Sequence, residues 1–146
     1  MEKLSKNLTY WSLATSCIIL IGAGHGVGPE ALVEYIVMHG IITGSDSFQV
    51  CFGLDCSYDN SIAAASIAIL LGQCITLIAN IFDIVILRVS GILIMLFGFL
   101  YLCHNLSKDS ISSFSFYTGM PFFILSVIVP ILIAIQTYHS RLKIDE

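Results

Sequence analysis

The sequence predicts an all-α integral membrane protein: four transmembrane helices, with one short extracytoplasmic amphipathic helix between the first and second. Three observations predict it. Hydrophobic residues make up 57% of the 146-residue chain and charged residues only 11%, with a mean hydropathy of +0.93. A soluble domain carries roughly 25% charged residues, because its surface has to face water. Apolar stretches near the length needed to cross the membrane recur four times along the chain; a helix needs about 20 residues to cross ~30 Å of hydrocarbon. Basic residues fall on alternate connections between these stretches. The same composition excludes a disordered chain, and six Lys+Arg against ten Asp+Glu exclude a basic nucleic-acid binder. Residues 1–146 read as a single polytopic membrane domain.

The first crossing is expected over residues 8–24. Lys3 and Lys6 ahead of an apolar run resemble a secretory signal peptide, with Gly22 and Gly24 as the small residues of a cleavage site. The segment is read as a retained helix. An outer loop over 25–60 follows, opening with the glycine-rich Gly24-His25-Gly26-Val27-Gly28-Pro29-Glu30. Proline suits the first helical position, and Glu30 in the first turn complements the helix dipole. A helix from Pro29 to His39, closed by Gly40, is therefore expected, with Glu30 and Glu34 on one side and Leu32, Tyr35, Ile36 and His39 on another. Eleven residues are too few to span, so this helix is expected to lie at the outer interface. The remaining crossings are expected over 61–81, 84–103 and 119–138. In lipid an unpaired backbone group costs several kcal/mol, which favours helices over strands for all of them.

Orientation follows from charge. Lys3 and Lys6 precede the first helix, Arg88 lies by the tight turn between the second and third, and Arg141 and Lys143 follow the fourth. Four crossings put these on one side, so all the basic residues except Lys108 are expected in the cytoplasm, with both termini. Glu30, Glu34, Asp46, Asp55, Asp59 and Asp109 fall on the opposite side. The expected location is the cell membrane.

Cys51 and Cys56 lie in the outer loop, in an oxidising compartment, and are expected to form a structural disulfide. A quinone-linked thiol-disulfide oxidoreductase would need a second cysteine pair at the surface to relay electrons. The other cysteines, Cys17, Cys74 and Cys103, do not supply one. His25, His39, Cys51, Cys56, Cys103 and His104 lack the paired spacing of a zinc site, so no metal is expected. Asn105-Leu106-Ser107 matches a glycosylation acceptor, a short pattern that recurs by chance. No Gly-x-Ser-x-Gly, His-Glu-x-x-His or phosphate-binding loop occurs, and neither catalytic residues nor a cofactor are expected.

Inside the bilayer the four segments carry no Asp, Glu, Lys or Arg at their centres, which argues against a charged-site transporter. The clearest pattern is a small-residue stripe on the second crossing, Ala64, Ala68, Gly72 and Thr76, with Gln73 beside it and Asn80 extending it. Gly91 and Gly98 give the third crossing a second smooth face. Small residues at this spacing let helix backbones approach closely, and two such faces raise the expectation of a homo-oligomer. Pro130 interrupts the fourth crossing, with Ser126 four residues earlier placed to relieve the freed carbonyl.

The function expected from these features is a non-enzymatic small membrane subunit that anchors, senses or scaffolds. It would act as a homo-oligomer, with a cytosolic partner protein, or both, because its cytoplasmic segments are too short to form a domain. Small membrane components of bacterial accessory systems, including some against phage, are an analogy by size and topology alone. The alternatives are a small self-associated pore and the thiol-disulfide oxidoreductase.

Overall fold

Glycines at 22, 24, 26 and 28 each lose about 1 kcal/mol in a helix relative to alanine, and β-branched Ile18, Ile19 and Ile21 precede or flank them. The helix ends there. In the computed structural model, which describes residues 2–23, 26–43, 50–53, 55–56, 58–104 and 110–142, α1 runs from Glu2 to Ile18. The chain then forms an antiparallel hairpin of β1 (Leu20–Ala23) and β2 (Gly26–Pro29), pairing Leu20 with Pro29 and Ala23 with Gly26. The expected crossing over 8–24 is thus not one continuous helix. Thr118 Oγ1 lies 3.2 Å from the Leu20 amide nitrogen, which donates to it, and the Glu30 amide donates to the Ile19 carbonyl at 2.7 Å. These bonds answer backbone groups at the hairpin's edge and base.

Four more helices follow: α2 (Glu30–Thr43), α3 (Tyr58–Ile81), α4 (Val85–Leu102) and α5 (Ser110–Leu142). α2 starts one residue after Pro29 and runs through Gly40 to Thr43, longer than expected. Among the described residues three segments are long and apolar enough to cross a membrane: Ser61–Ile81, Val85–Leu102 and Ser112–His139. α5 stays helical through Pro121 and Pro130. Ser126 is buried, and its hydroxyl makes no hydrogen bond, so it does not relieve the proline as expected.

α3 and α4 form a helical hairpin closed by a tight turn. Asp83 takes the left-handed conformation there (φ 58°), and the Ile84 amide bonds back to the Ala79 carbonyl at 2.9 Å, the pattern of a helix C-terminal cap. The Asp83 carboxylate accepts from Arg88 at 3.1 Å and pairs with Lys6, which fastens the start of α1 to this turn. Lys6 and then Arg88 hold the exposed Asp83 carboxyl below its ordinary pKa. An apolar groove between α4 and α5, lined by Val85, Val89, Ala134 and Tyr138, brings the C-terminal half of α5 to the same end. The beginning of α1, the α3–α4 turn and the end of α5 therefore share one end of the bundle.

The core lies between α1, α4 and α5. Ile19, Ile92, Met95, Phe99, Phe122, Val129 and Ile133 are buried together there, with Phe99 edge-on to Phe122 at a ring separation of 5.6 Å. A second cluster of Ile21, Ile62, Ala65 and Leu102, with Val33 against it, holds the hairpin and α2 to the far ends of α3 and α4.

Candidate functional site

α2 is inside out. Glu30, Glu34, Val37 and Gly40, spaced three and four apart, are its buried face, while Leu32, Tyr35, Ile36, Met38, Ile41 and Ile42 are exposed. The acidic face expected to meet water is the one packed against the bundle. In water this arrangement would expose the apolar face and bury the polar one. Next to hydrocarbon the outward apolar face would be stable, while the buried carboxyls would still carry a desolvation cost.

Polar side chains of α3 lie beside the two carboxyls. Glu30 has no exposed surface, and both of its carboxylate oxygens lack a hydrogen-bond partner. Glu34, one turn on, is also buried, with Oε1 unpartnered. Ser66 of α3 faces Glu30, fully buried, its hydroxyl short of hydrogen-bonding geometry. Gln73 of α3 lies beside Glu34, and its Nε2 donates to Ser16 Oγ of α1 at 3.0 Å and sits 3.8 Å from Cys17 Sγ. Burial pushes Glu30 up to about 8, with Ser66 acting against the shift and Glu34 adding to it. Burial likewise pushes Glu34 up to about 7, with Gln73 opposing. The ion pairs among the described residues join Lys6 and Arg88 to Asp83 and leave both glutamates without a cationic partner.

Other helices also turn hydroxyls inward. Ser5, Thr9, Ser12 and Ser16 form a buried stripe along α1, and Thr76 and Asn80 continue the polar face of α3. Several are answered locally: Thr9 donates to the Ser5 carbonyl at 2.8 Å and Ser16 to the Leu13 carbonyl at 2.7 Å. Small side chains satisfied on their own helix allow close packing, and most of the stripe has that structural role.

The residues singled out from sequence fall in three places. Cys51 and Cys56 stand at disulfide distance, Cα atoms 6.2 Å apart, and the Tyr101 hydroxyl lies 2.9 Å from the carbonyl oxygens of both Cys51 and Gly53. This ties the loop to the end of α4. Cys103 is packed in the core, while Cys17 and Cys74 are free thiols on other helices. Ala64, Ala68, Gly72 and Thr76 are occupied within the chain. A Cβ on Gly91 would lie 2.8 Å from the Thr76 amide nitrogen, and one on Gly98 would lie 3.1 Å from Ala68 Cβ. The stripe therefore has its partner in α4, which removes the sequence argument for placing it between subunits. Only Gln73 belongs to the acidic pocket.

His39 is exposed beside Tyr35, and His104 stacks on Tyr101. His25, Gly44–Ser47, Asn105–Ser107, Lys108, Asp109 and Lys143 lie outside the described residues. Among the described residues no three His, Cys, Asp or Glu side chains converge as metal ligands.

Reading the sequence for charges at the centres of long apolar runs misses the glutamates, because α2 is short and separate from those runs. The available signal was an i, i+4 acidic pair in an otherwise apolar helix, opposite hydroxyl stripes on its neighbours. Comparisons with protein-family models, curated proteins and solved structures return no match.

Proposed function

We propose that the chain is a non-enzymatic, multi-pass subunit of the cell membrane whose working element is the Glu30–Glu34 pair, held in the membrane interior to bind or sense a cation. One observation carries this reading: Glu30 is fully buried, with both oxygens unpartnered, on a helix that turns its apolar side chains outward. An ionisable side chain inside a bilayer is costly and by default marks a functional site. A fold that needed only to pack would be more stable with an apolar side chain in that place.

At 1.5 Å per residue, the 17 residues of α1 extend about 26 Å, short of the ~30 Å hydrocarbon core. In the proposed arrangement the hairpin continues that path, and α2 packs back as an embedded, non-spanning segment. Lys3, Lys6 and Arg88 gather at the end that also holds the finish of α5, which supports a cytoplasmic location for both termini. Signals from the pair would pass to a cytosolic partner protein, since the segments at that end are too short to form a domain.

Spin labels at Ile36 and Ile42 in lipid nanodiscs test the embedding. Collisions with dissolved oxygen should dominate over those with a water-soluble nickel chelate. Ready access of the chelate to Ile36 would show that α2 lies in water, and the reading would fall. Glu30→Gln should insert and melt at or above the wild-type temperature, as happens when a functional site is held at a cost to stability. A large drop in melting temperature would make Glu30 a structural residue.

A further inference from the structure

We infer that Glu30, Glu34 and Ser66 form a binding site for a single bare monovalent cation with sodium's preference for oxygen ligands. This rests on the reading that the pair lies in the membrane interior. Four buried oxygens on these three side chains have no hydrogen-bond partner: both of Glu30, Oε1 of Glu34 and Oγ of Ser66. The Ser66 hydroxyl comes from a different helix, is fully buried, and faces Glu30. It extends the site beyond an acidic pair. A buried acceptor left unpaired costs about 1–3 kcal/mol, more if it is charged. One cation at the centre of the cluster satisfies all four oxygens at once.

The chemistry of the donors selects the ion. Carboxylate and hydroxyl oxygens are hard ligands, whereas soft metals require thiolate or imidazole. Cys17 Sγ, on α1, faces Gln73 Nε2. Calcium takes six to eight oxygens, and magnesium keeps several of its waters. Two carboxyls and one hydroxyl supply neither shell. Glu30 is also the first residue of α2, where the positive end of the helix dipole offsets part of the second carboxylate's charge. A monovalent ion is then sufficient.

The test uses the full-length protein in mild detergent at fixed pH and constant ionic strength, with sodium chloride exchanged for choline chloride. Sodium should raise the melting temperature saturably, and equilibrium binding of radioactive sodium should give about one ion per chain. Ser66→Ala removes one ligand oxygen and little else, and should weaken sodium binding at least tenfold while the melting temperature in choline stays unchanged. Glu30→Gln should abolish the sodium effect. If Glu30→Gln fails to fold, Ser66→Ala decides the matter alone: unchanged sodium affinity in that variant overturns the site. Equal melting temperatures in sodium and choline also overturn it, leaving a pair that takes protons only. In that case the spin labels on α2 would still report lipid, so failure of the cation site is distinguishable from failure of the embedding.

Discussion

Alanine at position 72 should destabilise the monomer without changing its association state. A Cβ added to Gly72 would sit 2.7 Å from both the Gly91 carbonyl oxygen and the Met95 amide nitrogen. Both are backbone atoms of α4, so no side-chain rotation relieves the contact. Ordinary contact begins at 3.4 Å, so the two helices must part by about 0.7 Å at their closest approach. The movement also loosens the contacts at Gly91 and Gly98, because both lie on the same face. Overpacking of this kind costs about 1–3 kcal/mol. In a membrane the loss is felt fully, since helix association there depends on close van der Waals contact rather than on exclusion of water. Equilibrium unfolding in mixed sodium dodecyl sulfate and maltoside micelles, followed by circular dichroism, measures the change, and light scattering gives the particle mass. Gly91→Ala should behave alike, and the double variant should fall short of the sum because the two share one contact. Unchanged stability in Gly72→Ala, or a smaller particle with an undisturbed monomer, would refute the reasoning and return the stripe to a subunit interface.

The remaining predictions concern the acidic pocket and the loop. Burial holds Glu30 near 8 and Glu34 near 7, against an ordinary 4.5 for both. Between those values the folded protein binds more protons than the unfolded chain, so stability should fall as pH rises from about 4.5 to 8 and level off beyond. Melting curves across that range check it, and a flat profile in the Glu30→Gln, Glu34→Gln double variant assigns the effect. Cys51→Ser opens a small ring and should lower stability by about 2 kcal/mol, with the melting temperature as readout. Free thiols at both Cys51 and Cys56 in the untreated protein, seen by mass spectrometry, would remove the bridge.

How much of this was legible in sequence depends on how local each feature is. The crossings expected over 61–81 and 84–103 nearly coincide with the apolar spans of α3 and α4. Hydropathy over twenty residues is a sum of single-residue properties and requires no knowledge of neighbours. The Cys51–Cys56 pair is equally local, with a ring closed by a short loop. The fourth crossing was expected to begin at Gly119, but α5 starts at Ser110. Phe116 joins the Phe99 cluster and gives those earlier, more polar turns something to pack against. The end of α1 was visible as a run of glycines, yet a strand needs a partner strand and groups to meet its edge. Thr118, almost a hundred residues away, supplies one of them.

By itself, then, the sequence determined that the chain is mostly apolar and helical, where the long helices over 61–81 and 84–103 run, and which cysteines can meet. Tertiary structure alone decided which side of each helix faces inward. Ala68, Gly72 and Thr76 could have packed on another copy but pack on α4. Glu30 and Glu34 could have faced water but face Ser66 and Gln73. Periodicity marks a face on a helix without naming what covers it. That is set by the free energy of the whole chain, in which the inward carboxyls of α2 lie beside polar groups carried by distant parts of the sequence.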